Sequence, residues 1–280
     1  MSYEDGSGQR RLGGGCLMRV VVALIILIGG FVSYYMASQK NPITGETQHI
    51  KISPEQEVRL GLTAAPEMAA QMGGEVPYGE RHEDEVVAMG QKLIAGLPQN
   101  PYQFQFHLLR DGQTVNAFAL PGGQVFITAG LLRRLETEAQ LAGVIGHEIG
   151  HVIERHGAQQ MATADFYNSI VSATGVASGD QRAAALAQYV TQIRQLKYSR
   201  GDELEADQWG LKLMANAGYD PREMLKVMAI LKSVSGSSGS EMMSTHPLPE
   251  SRIEKINAYL EKTYPSGVPG GLGAGRGLEW

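Results

Sequence analysis

Gly146-His147-Glu148-Ile149-Gly150-His151 sets two histidines four residues apart, with a glutamate directly after the first. On a helix, positions i and i+4 lie about 40° apart around the axis, so His147 and His151 share one face. That is the spacing at which two imidazoles grip one zinc ion. Glu148 lies about 100° round from His147, beside the open side of such a site, where a carboxylate can take a proton from an activated water. The flanking residues predict the helix this requires. Thr137 and Gln140 form a Thr-x-x-Gln start signal, Leu141, Val144, Ile145, Ile149 and Val152 recur at helical spacing, and Gly157 reads as the stop. Gly143, Gly146 and Gly150 are poor helix formers, and their presence predicts close packing against another backbone.

A catalytic zinc ion commonly takes two neutral histidines, one carboxylate and a water. Ser199-Arg200-Gly201-Asp202-Glu203-Leu204-Glu205-Ala206-Asp207 offers the carboxylate. Residues 203–217 read as a helix ended by Gly218. Glu203 and Asp207 are also i and i+4, on one face, while Glu205 points away from both. Spacing alone leaves Glu203 and Asp207 both open as the third ligand. A run of acids is usually a solvated face, and here only the upstream His-Glu-x-x-His weighs against that.

Upstream, Phe104–Leu108, Val115–Leu120 and Gln124–Thr128 read as strands, with turns at Asp111-Gly112 and Pro121-Gly122-Gly123. They predict a small antiparallel sheet just before the histidine-bearing helix. An edge strand beside a metal can bind an extended substrate by adding it as another strand, and Asn116, Ala117, Phe118, Ala119 and Leu120 are expected to do so through their backbone groups. Helices are further expected from Pro54 after a Ser53 cap, over 82–97, over 183–196, from Asp220-Pro221 to Lys232 and over 249–262, with residues 158–180 a helical hairpin or a flap. His156 is read as turning off the metal face and lying at the helix C-terminus. His49, His82 and His107 have no partner at ligand spacing and are expected on the surface. His246 follows the Gly/Ser-rich stretch 235–240. It can act as an oxyanion donor, or as a fourth ligand that displaces water and leaves the enzyme latent. Arg252 is expected to pair with an active-site carboxylate or to face water.

Four blocks carry a resemblance: Asn116 to Gly123, His147 to His151, Ser199 to Asp207, and Thr245-His246-Pro247 with Arg252. Over residues 40–262 the chain resembles the zinc metallopeptidases that include the CAAX prenyl proteases, HtpX-type membrane proteases and their bacterial periplasmic and mitochondrial inner-membrane relatives. The resemblance implies an α+β fold, a mainly helical zincin domain of gluzincin type. It also implies one Zn2+ per chain held by His147, His151 and Glu203, with Glu148 as catalytic base and Asp207 behind a zinc-bound histidine. An envelope quality-control role, with extended or misfolded proteins as substrates, is likewise what the resemblance implies. The alternative class is a zinc-stabilised membrane chaperone or scaffold with little turnover, against which an intact Glu148 argues. A prenyl-peptide processor would be expected to carry more membrane spans.

The chain has 280 residues and a net charge of −5, enough length for one catalytic domain and no basic surplus for nucleic acid. Protein or peptide substrates and a membrane are the expected partners. Val20 to Met36 is an apolar run interrupted only by Ser33, with Tyr34 and Tyr35 near its end. It predicts one uncleaved transmembrane anchor over residues 17–37. Arg10, Arg11 and Arg19 precede the run, which puts the N-terminus in the cytoplasm of a bacterium and the catalytic domain in the periplasm. Residues 1–16 read as a disordered cytoplasmic tail, 40–52 as a link from the anchor, 40–262 as the catalytic domain and 263–280 as a Gly-rich disordered tail. The single cysteine, Cys16, excludes both a disulfide and a thiolate metal site in the domain.

Overall fold

A computed structural model of the chain describes residues 25, 28–29, 31–33, 35–97, 100–162, 197–234, 241–247 and 250–279. The elements in chain order are β1 (Ser38–Lys40), β2 (Thr47–His49), α1 (Pro54–Gln71), α2 (Arg81–Ile94), β3 (Gln105–Leu109), β4 (Ala117–Leu120), β5 (Gln124–Thr128), α3 (Ala129–Leu132), α4 (Glu138–Ile153), α5 (Arg200–Asn216), α6 (Glu223–Val234), α7 (Met242–Thr245) and α8 (Glu250–Thr263). This is an α+β fold, mainly helical, built around α4. Every residue of α4 from Ala139 to Ile153 is buried. The helix packs chiefly against α5, and also against α2, α6, β4 and β5.

The glycines of α4 make that packing possible. A Cβ on Gly146 would stand 3.2 Å from the Cα of Gly210 in α5, so the two backbones pass nearly in contact, as the poor helix formers predicted. Gly143 instead faces the side chains of Met214, Met224 and Val227.

Both ends of α4 are capped partly by remote chain. Thr137 Oγ1 accepts from the Gln140 backbone N–H at 3.3 Å, but Gln140 Oε1 accepts from the N–H of Glu136 rather than Thr137, so the expected capping box is only half formed. The N–H groups of Glu138 and Ala139 donate to the carbonyls of Arg276 (3.0 Å) and Ala274 (2.9 Å). At the other end the helix stops at Ile153, and Arg155 takes a left-handed φ of 60°. Gly157 is therefore not the stop: it lies inside a further helical stretch over 156–162. The orphan carbonyls of Ile153 and Glu154 accept from Asn41 Nδ2 at 2.7 Å and Gln48 Nε2 at 2.8 Å. Asn41 and Gln48 belong to the antiparallel β1–β2 hairpin, where a link had been expected.

The sheet differs from the antiparallel one predicted. Its order is β3-β5-β4, with β3 parallel and β4 antiparallel to β5. Asp111-Gly112 does not close a hairpin. The Asp111 carboxylate accepts from the N–H groups of Gln113 (2.8 Å) and Thr114 (2.9 Å), rounding a wider loop that leaves room for β5 between its neighbours. β5 is buried along its whole length, as a central strand must be. Pro121-Gly122-Gly123 does turn β4 into β5, with Gly122 at φ 86° and Gly123 at φ 111°. A Cβ on Gly122 would sit 2.4 Å from the Cα of Val58, so α1 lies directly on this turn.

Residues 263–279 are not the disordered tail expected from their glycines. Their backbone returns along the molecule, pairing Gly273 with Gly218 and Asp220 and Leu278 with Glu136, and Arg276 meets the Glu138 carboxylate at 2.6 Å. Most of the apolar run 17–37 lies outside the described residues, as do residues 1–16, most of 158–180, the 183–196 helix and the 235–240 stretch. Among the described residues no helix is long and apolar enough to cross a membrane, so the expected transmembrane helix has no counterpart there.

Candidate metal centre

The helical spacing read from the sequence brings His147 and His151 together inside the molecule, with their Nε2 atoms 3.1 Å apart and both residues 2% exposed. α5 begins at Ser199, whose hydroxyl and the Asp202 carboxylate form a reciprocal capping box. The N-terminal part of that helix delivers Glu203, fully buried, whose oxygens lie 3.6 Å from His147 Nε2 and 3.5 Å from His151 Nε2. His246 follows α7 and turns inward, with Nδ1 3.0 Å from Glu203 Oε1 and 3.4 Å from His147 Nε2. These four donors lie within 4.8 Å of one another.

A tetrahedral zinc ion with bonds near 2.05 Å holds its ligands about 3.3 Å apart. The five contacts above run from 3.0 to 3.6 Å, with His147 facing one oxygen of Glu203 and His151 and His246 the other, so they lie close to that figure. Glu148 is fully buried beside the set; neither of its carboxylate oxygens has a hydrogen bond, and His246 Nε2 lies 3.7 Å from Oε1. Burial pushes the Glu148 carboxyl up from its ordinary range. Burial would raise Glu203 too, but the charge of His246 and the hydrogen bonds of His151 and His246 outweigh it and hold this carboxylate far down. Burial lowers His151, favouring the neutral ring that ligates. His246 moves the other way: burial opposes its charge, yet Glu203 and Glu148 raise it on balance. The residues present fit zinc.

Around this set Arg252 and Asp207 form a buried bracket. Arg252 Nε and Nη2 donate to the two oxygens of Asp207 at 2.8 and 2.6 Å, and Nη1 lies 2.5 Å from Glu203 Oε2. Asp207 Oδ1 in turn stands 3.0 Å from His147 Nδ1, the ring nitrogen facing away from the donors. Burial would raise Asp207, but the Arg252 guanidinium holds it below its usual range. Of the alternatives the sequence left for Arg252, the geometry selects the carboxylate pair.

The segment Asn116 to Leu120, expected to bind substrate, falls on and just before β4, an edge strand packed on α4. Ala117, Ala119 and Leu120 are buried, and Phe118 stacks on Phe126 with ring centroids 4.8 Å apart. Asn116 Nδ2 reaches Glu241 at 3.3 Å, tying this strand to the segment that carries His246. Three residues escaped the sequence reading. Tyr198 stacks on His151 at 3.9 Å between ring centroids. His156, assigned to the helix end, has its Nδ1 2.9 Å from His151 Nδ1, and Glu205 meets His156 Nε2 at 3.0 Å. Counting along an unbroken helix hid the contact of His156, because the turn at Arg155 folds it back. The other histidines stay outside the centre; His107 is held between Glu75 and Gln124 and stacks on Phe126 rather than lying free on the surface.

Two helix-borne histidines, a glutamate from the neighbouring helix and a buried carboxylate without hydrogen bonds define a zinc-dependent hydrolase. Residues 80–260 match the sequence profile of peptidase family M48, and the chain belongs to that family, whose members are zinc metallopeptidases. Its enzyme class is zinc metalloendopeptidase. The mitochondrial metalloendopeptidase OMA1 of Schizosaccharomyces pombe is 30% identical over 239 residues, 84% of this chain and 70% of that protein. The beta-barrel assembly-enhancing protease of Yersinia pestis is 30% identical over 235 residues, 80% of this chain. The chain spans only 48% of that bacterial relative's length. OMA1 of Saccharomyces cerevisiae is 27% identical over 258 residues, 85% of this chain and 74% of that protein.

Proposed function

We propose that this chain is a membrane-anchored endopeptidase that cleaves extended or misfolded protein segments at a bacterial inner membrane, as part of envelope quality control. The observation that carries the catalytic part is the convergence of His147, His151 and Glu203 at distances close to those of a zinc tetrahedron, with Glu148, free of hydrogen bonds, beside them. Bound there, zinc would polarise the scissile carbonyl and make water nucleophilic near neutral pH. Glu148 takes the proton from the attacking water and delivers it to the leaving amine nitrogen, a transfer that suits a carboxyl whose affinity for protons is raised by burial. Asp207 orients His147, and Arg252 neutralises Asp207 and Glu203 together. Among the described residues no strand pairs with the outer edge of β4, which supports an extended substrate pairing with the backbone of residues 116–120.

His246 occupies the position that substrate and water need. In this arrangement the site is closed, and turnover requires the 241–247 segment to withdraw. The membrane part rests on the apolar run Val20 to Met36 and on the exposure of its apolar residues Ile25, Ile28, Phe31 and Met36. The test is casein cleavage by the full-length protein, with zinc content measured on the same sample, comparing wild type with Glu148→Gln. Zinc in both proteins and cleavage only in wild type is expected. Cleavage retained by Glu148→Gln would overturn the assignment of the base.

A further inference from the structure

His151 Nδ1, the nitrogen facing away from the metal donors, lies 2.9 Å from His156 Nδ1, and His156 Nε2 lies 3.0 Å from Glu205 Oε2. His156 is 1% exposed, whereas the Glu205 side chain is 54% exposed. The backbone makes this meeting possible. Arg155 is the one non-glycine residue at positive φ among the described residues, and it is held there by Glu57 and by the Ile52 carbonyl, which accepts from Nη2 at 2.9 Å. That left-handed turn ends α4 and folds His156 back beneath His151.

Connectivity decides where the hydrogens sit. A histidine that ligates through Nε2 carries its hydrogen on Nδ1. His156 Nδ1 must then accept, so the hydrogen of a neutral His156 sits on Nε2 and is donated to Glu205. We propose that Glu205 and His156 are positioning residues, a relay that holds His151 in its metal-binding tautomer and orientation. This inference rests on His151 being a zinc ligand. The two zinc histidines are thus oriented by different means: His147 by a buried carboxylate directly, and His151 through an intervening imidazole whose carboxylate stands at the surface.

The experiment is competition of full-length protein against a chromophoric zinc chelator, for wild type, His156→Leu, His156→Gln and Glu205→Ala. His156→Leu is expected to weaken zinc binding by about 10- to 100-fold, the usual effect of losing an outer partner of a ligating histidine. His156→Gln, whose amide can accept from His151 and donate to Glu205, should recover most of that loss. Glu205→Ala removes the acceptor from a half-exposed helical position and is expected to weaken zinc several-fold. Ring nitrogen NMR of the zinc-loaded protein should find His156 protonated at Nε2 and His151 at Nδ1. Unchanged zinc affinity in Glu205→Ala, or a hydrogen on His156 Nδ1, would overturn the relay. A wild type that binds no zinc would instead overturn the metal assignment beneath it.

Discussion

Gly150 of α4 lies against Ala206 of α5 so closely that a Cβ on Gly150 would stand 2.9 Å from both the Cα and the carbonyl oxygen of Ala206. Gly150 is flanked in sequence by the metal-site helix face, and Ala206 by Glu205 and Asp207. The spacing between the two backbones therefore sets how far Glu203 reaches toward His147 and His151. Gly150→Ala must push the helices apart, since the obstacle is backbone rather than a movable side chain. The expected outcome is a loss of about 1–3 kcal/mol in stability together with weaker zinc binding. Thermal melts of zinc-free protein and a zinc titration check the two parts separately.

Replacing Glu148 by Gln should lower kcat/KM about 10²- to 10⁴-fold, the range general acid–base catalysis contributes, while zinc affinity stays near wild type. Equal loss of zinc and activity would show that Glu148 holds the centre together rather than moving a proton.

Arg252→Leu removes a 2% exposed cation from two buried carboxylates. Leaving such charges uncompensated costs about 3–5 kcal/mol, so urea unfolding of this variant should show a markedly lower midpoint. The pH dependence follows from the same contacts. Asp207 and Glu203 are depressed in the folded state, so the stability they contribute is fully present above their unfolded values of about 4 and is lost as pH falls below them. Acid unfolding of the zinc-free wild type should therefore steepen below about pH 4, and Arg252→Leu should lose part of that acid limb. A variant whose acid limb superimposes on wild type would contradict the bracket.

His246→Ala opens the fourth donor position. Casein cleavage is expected to rise, because a larger fraction of molecules would be competent, while zinc binding weakens only modestly. Slower cleavage with normal zinc content would assign His246 to the oxyanion instead of to a latch.

Deleting residues 265–280 takes away the Arg276 and Ala274 carbonyls that cap the first N–H groups of α4, and with them the Arg276–Glu138 contact. Losing caps of this kind costs about 1–2 kcal/mol, so the melting temperature should fall by several degrees. An unchanged melting temperature would restore the sequence's own reading of this segment as a passive tail.

Short-range chemistry was open to reading from the chain alone. The 3.6-residue period puts His147 and His151 on one face wherever their segment is helical, and the same period puts Glu203 with Asp207. The glycines of α4 announced a close neighbour, and β5 was bounded correctly from Gln124 to Thr128 because its flanking turn is encoded locally. Contacts closed over long loops were not readable. Whether β5 enters between β3 and β4 depends on how the Asp111 loop spends its hydrogen bonds, not on any strand's own pattern. Asn41, Gln48, Ala274 and Arg276 cap α4 from more than a hundred residues away, so no window of sequence displays them as caps. The contact of His156 with His151 was missed for a sharper reason. One left-handed residue, Arg155, breaks the helical count, and it is held there by buried Glu57 and by the carbonyl of half-buried Ile52. The sequence determined which groups can bind a metal; the tertiary structure decided which others hold them in place, because those partners meet only after the backbones have packed.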